Sequence, residues 1–239
     1  KSLSHVEFDG RIVPWIRIAM SEEDMPTLHR SFAAFEQTSG FSAKWLDPKG
    51  VIDLEPRISQ DVIAGVYMYG NGAVDSHRFT MALMTAAEKM GATFSRATVT
   101  GVRGVKGGSL EVMVDGEVWC AKSVVLAAGP WSGKIFERAG VRLPVSPLKG
   151  QIIRLDPSGP TYRYDIAYPG GEAHPKPDGL VWIGATVEEA GFDTHNTDAA
   201  RLKLTADAVK AIPGLALSKL VKQTACLRPV TADGMPLIS

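Results

Sequence analysis

The sequence is poor in the features that assign a chain quickly, and each absence excludes something. It holds two cysteines, Cys120 and Cys226, too few for a disulfide framework. Both lie in apolar runs, so buried free thiols and a reducing, cytoplasmic setting are expected. Neither charge sign is in excess, with 26 basic and 26 acidic residues. A nucleic-acid binder usually shows a basic surplus or stripe, so none is expected as partner. Apolar runs long enough to cross a membrane are missing. The N-terminal KSLSHVEFDG has the layout of neither a signal peptide nor an amphipathic transit helix. Five histidines are present, and no two stand at metal-ligand spacing on a helix, so no zinc site is expected. What remains, 45% hydrophobic and 22% charged residues over 239 positions, is the balance of a globular protein of one large or two modest domains.

Periodicity supplies the elements. Arg11–Met20 alternates apolar and polar residues and reads as a strand. Ser21-Glu-Glu-Asp opens a helix carrying Pro26, Leu28, Phe32 and Phe35, closed by Gly40. Val62–Tyr69 reads as a buried strand. Asp75 caps a helix from Ser76 to Met90 with Phe79, Leu83, Ala86 and Met90 on its apolar face, and Gly91 stops it. Short strands follow at Ala92–Ala97, Val99–Arg103, Ser109–Val114 and Glu117–Ala121, the last two joined through Asp115-Gly116, a strong hairpin signal. Ser123–Ala128 (SVVLAA) is apolar throughout, as in a strand covered on both faces. It breaks at Gly129-Pro130, before a short helix ending near Gly140. Beyond Leu143, prolines punctuate strands such as Gln151–Leu155 and Leu180–Thr186. A helix spans Thr197 to Ile212 and stops at Pro213, and Lys219–Cys226 is a further strand. The pattern predicts two interleaved units, one α/β and one α+β.

Chemical motifs are sparse. Gly129-Pro-Trp-Ser-Gly-Lys134 is one residue short of a phosphate loop, and Ile135 stands where Ser or Thr is required. Gly70-Asn-Gly72 begins like a dinucleotide fingerprint, but its sixth residue is Asp75, so a turn is expected. Ser132 lacks nucleophile-elbow spacing. His77 reads as a surface or packing residue, and His174 as a loop histidine able to stand near a site. Arg228 is the exception. It follows a strand and precedes Pro229, and a stiffly held guanidinium matches both oxygens of a carboxylate. A ligand clamp and a structural ion pair both fit that placement.

Four stretches, taken in order, resemble one family. They are Gly72-Ala-Val-Asp-Ser-His-Arg-Phe79, Val124-Val-Leu-Ala-Ala-Gly-Pro-Trp-Ser-Gly133, Pro144-Val-Ser-Pro-Leu-Lys-Gly-Gln151, and Ile183-Gly-Ala-Thr-Val-Glu-Glu-Ala-Gly-Phe192 with Leu227-Arg-Pro-Val-Thr-Ala-Asp-Gly-Met-Pro-Leu237. The chain resembles the D-amino-acid oxidase superfamily of FAD-dependent oxidoreductases, nearest its glycine oxidase and sarcosine oxidase branch. The resemblance covers Ile52 to Ser239 and, more loosely, the segment before.

That resemblance implies an α/β plus α+β fold, with a partial FAD-binding Rossmann-like domain interleaved with an antiparallel-sheet substrate domain. The expected division is 1–70 shared between the two, 71–143 FAD-binding, 144–227 substrate domain and 228–239 a return to the FAD-binding domain. It implies a flavin that takes a hydride from the amine-bearing carbon of a small amino acid or secondary amine. Arg228 would grip the substrate carboxylate. Val99, Ala128, Gly129, Trp131, Gly150 and Gln151 would line the cofactor, although a plain turn before a strand also fits Lys149–Gln151. Tyr168, or Tyr162 in another register, and His174 would serve a substrate loop over Ala167–Pro175. Two departures stand out. The family's G-x-G-x-x-G unit is not in the sequence, and its closing glycine-rich segment would begin about where the sequence ends at Ser239. Three arrangements are therefore open: a fragment of a longer enzyme, a natural truncation that has become a flavin-free binding or oligomerising remnant, and a homo-oligomer that covers the exposed surfaces.

Overall fold

In a computed structural model the described residues are 2–105, 107–137 and 140–238. Along the chain come β1 (Gly10–Ile12), β2 (Trp15–Ala19), α1 (Met25–Gln37), β3 (Ser42–Leu46), α2 (Pro48–Leu54), β4 (Ala64–Tyr69), β5 (Gly72–Val74) and α3 (Ser76–Lys89). Next are β6 (Val99–Gly104), β7 (Leu110–Val114), β8 (Glu117–Ala121), α4 (Ser132–Glu137) and β9 (Val145–Asp156). The last are β10 (Asp165–Tyr168), β11 (Gly171–Pro175), β12 (Val181–Gly184), α5 (Asp198–Ala211) and β13 (Lys219–Thr231). The predicted Arg11–Met20 strand is two strands, because Pro14 lies between them and supplies no ladder N–H. Asp75 caps α3 as expected, accepting from Arg78 N at 3.0 Å. A second cap, at Asp47 before Pro48, starts α2 and accepts from Gly50 N at 2.8 Å. No described helix is long and apolar enough to cross a membrane.

The chain forms two compact units. The first holds residues 1–92, 151–186 and 196–224, and the second 93–150, 187–195 and 225–239. A mixed sheet runs in the order β13-β9-β12-β11-β10-β2-β4-β3; β10 lies parallel to β2, and the pairs β9–β12, β12–β11, β11–β10, β2–β4 and β4–β3 are antiparallel. One face carries Ile16, Ile153, Ile166, Ala173 and Ile183, which pack with Leu204, Ala208 and Ile212 of the α5 segment and with Val51 of α2. On the other face α1 lays Leu28, Phe32 and Phe35 against Val66 and Met68. Gly65 is required beneath α2, because a Cβ there would lie 2.5 Å from Val51 Cγ2. The hydrophobic face of α3 stays largely uncovered, with Leu83 55% and Met90 79% exposed.

In the second unit β6, β7 and β8 form an antiparallel meander. Its second turn places Asp115 at φ 48° and Gly116 at φ 89°, the left-handed pair that a two-residue hairpin turn demands. Four expectations are corrected in the chain at large. Ser123–Ala128 is not a buried strand: it pairs with no described strand, and Val125 is 90% exposed. Ala92–Ala97 is likewise irregular and exposed. An apolar run becomes a strand only when a neighbour accepts its ladder hydrogen bonds. Cys120 and Cys226 are exposed, not buried; around Cys120, Val118 and Trp119 on the two faces of β8 are exposed as well. The Ala167–Pro175 loop is instead the β10–β11 hairpin, paired Ile166 to Ala173 and Tyr168 to Gly171. The short helix expected to end near Gly140 is described to Glu137, while residues 138 and 139 lie outside the described residues, as does Ser239.

Candidate functional site

The second unit contains a groove of about 770 Å³ between the start of β6 and the turn into α4. Ala97, Thr98, Val99 and Thr100 form one wall, and Ala127, Ala128, Gly129, Trp131, Lys134 and Ile135 the other. Four residues chosen from the sequence, Val99, Ala128, Gly129 and Trp131, therefore come together. The local cause is Gly129. Its φ of +52° turns the chain from the irregular apolar run into a single 3-10 turn, and α4 follows at once. A Cβ built on Gly129 would meet nothing within 4 Å. The backbone beside it is thus open to a ligand, and small side chains on both walls keep it so. Trp131 exposes half of its surface, a flat apolar face, and Lys134 adds a cation.

Gly150 and Gln151 do not line this groove. They lie inside β9, buried, rather than in a turn before it. Gln151 joins three elements of the first unit. Its Oε1 accepts from Thr197 N and from Gln223 Nε2, both at 2.9 Å, and its Nε2 donates to Thr197 Oγ1 at 3.0 Å. Arg228 lies within β13, which continues to Thr231 instead of stopping at Cys226; its residue is exposed.

A charged cluster occupies the first unit's sheet. Along β11, Ala173 and Pro175 turn into the core, so Glu172 and His174 face the other way. His174 Nδ1 is 2.8 Å from Asp165 Oδ2, and its Nε2 is 3.2 Å from Glu172 Oε2. Arg17 Nη2 stands 3.8 Å from Glu172 Oε1, and the Trp15 ring lies 5.8 Å from the imidazole. Burial opposes a charge on His174, but the hydrogen bonds to Asp165 and Glu172 outweigh it and raise the pKa to about 9. The His174 bond in turn holds the Glu172 carboxyl below its usual range, against burial. The imidazole is thus a cation at neutral pH. Tyr168 is on the opposite face, 6% exposed in the apolar core, and its hydroxyl has no hydrogen-bond partner among the described residues. Burial first, then the Asp207 and Glu172 charges, push that phenol up, so it stays neutral. Tyr162 is also in the core, under the Arg57 guanidinium at 3.6 Å.

Comparison with known proteins completes the picture. The family described as FAD dependent oxidoreductase matches residues 2–239. The chain belongs to the FAD-dependent oxidoreductase family. Among its relatives, a glycine oxidase of Geobacillus kaustophilus is 28% identical over 226 residues, covering 93% of this chain and 59% of that protein. A glycine oxidase of Pseudomonas aeruginosa is 36% identical over 177 residues, or 72% of this chain and 48% of the relative. The crystal structure of the Geobacillus kaustophilus glycine oxidase superposes with a TM-score of 0.90 at 24% identity, over 98% of this chain and 64% of the other. The L-proline dehydrogenase of P. horikoshii gives 0.84 at 20%, over 97% and 64%. These likenesses establish the fold, and the chain spans about half to two thirds of the length of the relatives it matches.

An FAD-dependent oxidoreductase needs a place for an adenine dinucleotide, and the groove can be tested against that need. The open backbone at Gly129, the alanines on both walls, the exposed Trp131 face and the Lys134 ammonium suit an aryl ring and a phosphate. They fit the nucleotide part of the flavin cofactor of the family. Reading the sequence found the small and aromatic members of this set through the VVLAAGPWSG stretch. It missed Lys134, Glu172 and Asp165. Nothing in the local sequence marks Glu172 or Asp165, whose meeting at His174 depends on the pairing of β10 with β11.

Proposed function

We propose that the protein takes part in FAD-dependent oxidation of a small amino acid or secondary amine, of the kind named by its glycine oxidase relatives. The observation that carries this reading is the convergence of Val99, Ala128, Gly129 and Trp131 on one groove, in a chain matched by the family from residue 2 to 239. When bound, the flavin would supply the hydride acceptor. The work of the chain is then binding and orientation. Val99 and the alanines pack against the nucleotide, Gly129 leaves its backbone open to it, and Trp131 and Lys134 offer a ring face and a positive charge. Arg228 grips the substrate carboxylate and so fixes the carbon that is to be oxidised. No acid–base triad is required, which suits a groove lined by small side chains, Trp131 and Lys134.

Two measurements test the reading. Purified protein is examined for the visible absorbance of flavin, before and after adding FAD, with FMN as a control for the nucleotide half. A colourless protein that takes up no added FAD rules the reading out for this chain and favours a flavin-free remnant. Given flavin binding and turnover, Arg228→Ala should slow the oxidation of carboxylate substrates by roughly 10²–10³-fold, a loss of about 3–4 kcal/mol of transition-state binding. Equal losses with the carboxylate and its amide would remove Arg228 from the clamp role.

A further inference from the structure

The segment from Val187 to His195 belongs to the second unit, and Lys149 anchors it there twice, through its backbone and through its side chain. At its start Lys149 and Glu188 exchange backbone hydrogen bonds, Lys149 N to Glu188 O at 3.0 Å and Glu188 N to Lys149 O at 2.9 Å. Near its end the Lys149 ammonium, on a side chain only 1% exposed, reaches Asp193 Oδ2 at 2.6 Å, with Glu188 Oε2 at 3.9 Å. Asp193 Oδ1 also accepts from His195 N at 3.0 Å. The Lys149 hydrogen bond, followed by those from His195, holds the Asp193 carboxyl well below its ordinary range. A buried ammonium of this kind holds its nearest counter-ion, since losing Asp193 would leave it only the more distant Glu188 carboxylate. The neighbouring residue is Phe192. Its ring centroid lies 5.9 Å from that of Trp131, and Lys134 Nζ stands 3.5 Å above its face. Trp131 and Lys134 are the two groove residues with an aromatic face and a charge.

We propose that Val187–His195 is a latch that presets the groove: Lys149 fixes Asp193, and Phe192 then holds the Trp131 ring and the Lys134 ammonium where a ligand bearing an aryl ring and phosphate meets them. The ligand class rests on the cofactor reading above, where it is the ADP part of FAD. Lys149, Asp193 and Phe192 are positioning residues, acting through the two that touch the groove. The physical gain is preorganisation. A free lysine side chain samples many rotamers, and one held over an aromatic face has fewer to lose on binding.

The test separates the latch from the ligand. In the ligand-free protein the emission of Trp131 is isolated by subtracting the spectrum of Trp131→Phe, and its quenching by acrylamide is measured. Phe192→Ala and Asp193→Asn should at least double that quenching, and Phe192→Tyr should restore it. Binding of FAD and of ADP, measured by equilibrium dialysis, should weaken about three- to tenfold in Phe192→Ala, the loss of one cation–π contact and its ordering. Lys134→Met should weaken both ligands and leave the ligand-free quenching as it was. Trp131 quenching unchanged in Phe192→Ala and Asp193→Asn overturns the latch, as does undiminished FAD affinity in Phe192→Ala. Failure of the unaltered protein to bind either FAD or ADP sinks the cofactor reading instead, and the quenching data then decide the latch by themselves.

Discussion

At His174, burial and hydrogen bonding oppose each other, and hydrogen bonding wins. The consequence is a pH dependence with a definite sign. The folded pKa of about 9 lies above the ordinary value of 6.5, so the cluster contributes stability fully below pH 6.5 and loses it as pH rises to about 9. Urea unfolding of the unaltered protein and of His174→Gln should therefore differ most near pH 6 and converge above pH 9.5. A constant difference across that range would show that His174 stabilises by packing rather than by charge. Exposure gives a second residue-scale prediction. Cys120 and Cys226 should both react with a thiol reagent in the native protein, giving two thiols per chain without denaturant. The apolar residues around each cysteine predict the opposite. Along a strand successive side chains alternate sides, so which side is wet depends on what packs against the sheet.

Among the elements, α5 shows how a helix is started from outside itself. Thr197 caps it, accepting from Ala200 N at 3.3 Å, while Gln151 of β9 holds Thr197 from both its N–H and its hydroxyl. Replacing Gln151 with Leu leaves the Gln223 amide and the Thr197 N–H short of a partner. The expected loss is roughly 2–4 kcal/mol in urea unfolding, against about 1 kcal/mol for Thr197→Ala. Equal losses would mean that the cap, not the buried amide, carries the junction. Both ends of α5 were legible, in Thr197 and Pro213, as were the cap of α3 and the Asp115-Gly116 hairpin. These signals are local, set by the chemistry of one or two residues. The strands at Ser123–Ala128 and Ala92–Ala97 were misread for the converse reason. Hydrophobicity says that a segment is to be covered, and pairing requires a particular neighbour.

For the whole molecule, ligand binding and stability are linked. If the groove takes FAD, a concentration 100-fold above Kd should stabilise the folded protein by about 2.7 kcal/mol. For a chain of this size that corresponds to a rise of roughly 5–10 °C in Tm, read by scanning calorimetry. Riboflavin, which lacks the nucleotide, should give a much smaller rise. Equal shifts with riboflavin and FAD would place the flavin ring, not the nucleotide, as the anchor and contradict the assignment of Trp131 and Lys134.

The sequence by itself determined the family, the order of most elements and the small residues of the groove. Those features are written as contiguous stretches, in which each residue answers to its immediate neighbours: a glycine to a left-handed turn, an aspartate to a helix start, alanines to a close approach. Tertiary structure decided the electrostatics. His174 is charged because β10 brings Asp165 to β11, and Lys149 is paired because a loop 44 residues later returns to it. The same proximity set Gln151 as a buried joint, put Tyr168 in the core and gave Lys134 an aromatic partner in Phe192. Charge and hydrogen bonding depend on distance in space, which a linear spacing does not specify until the sheet registers are fixed.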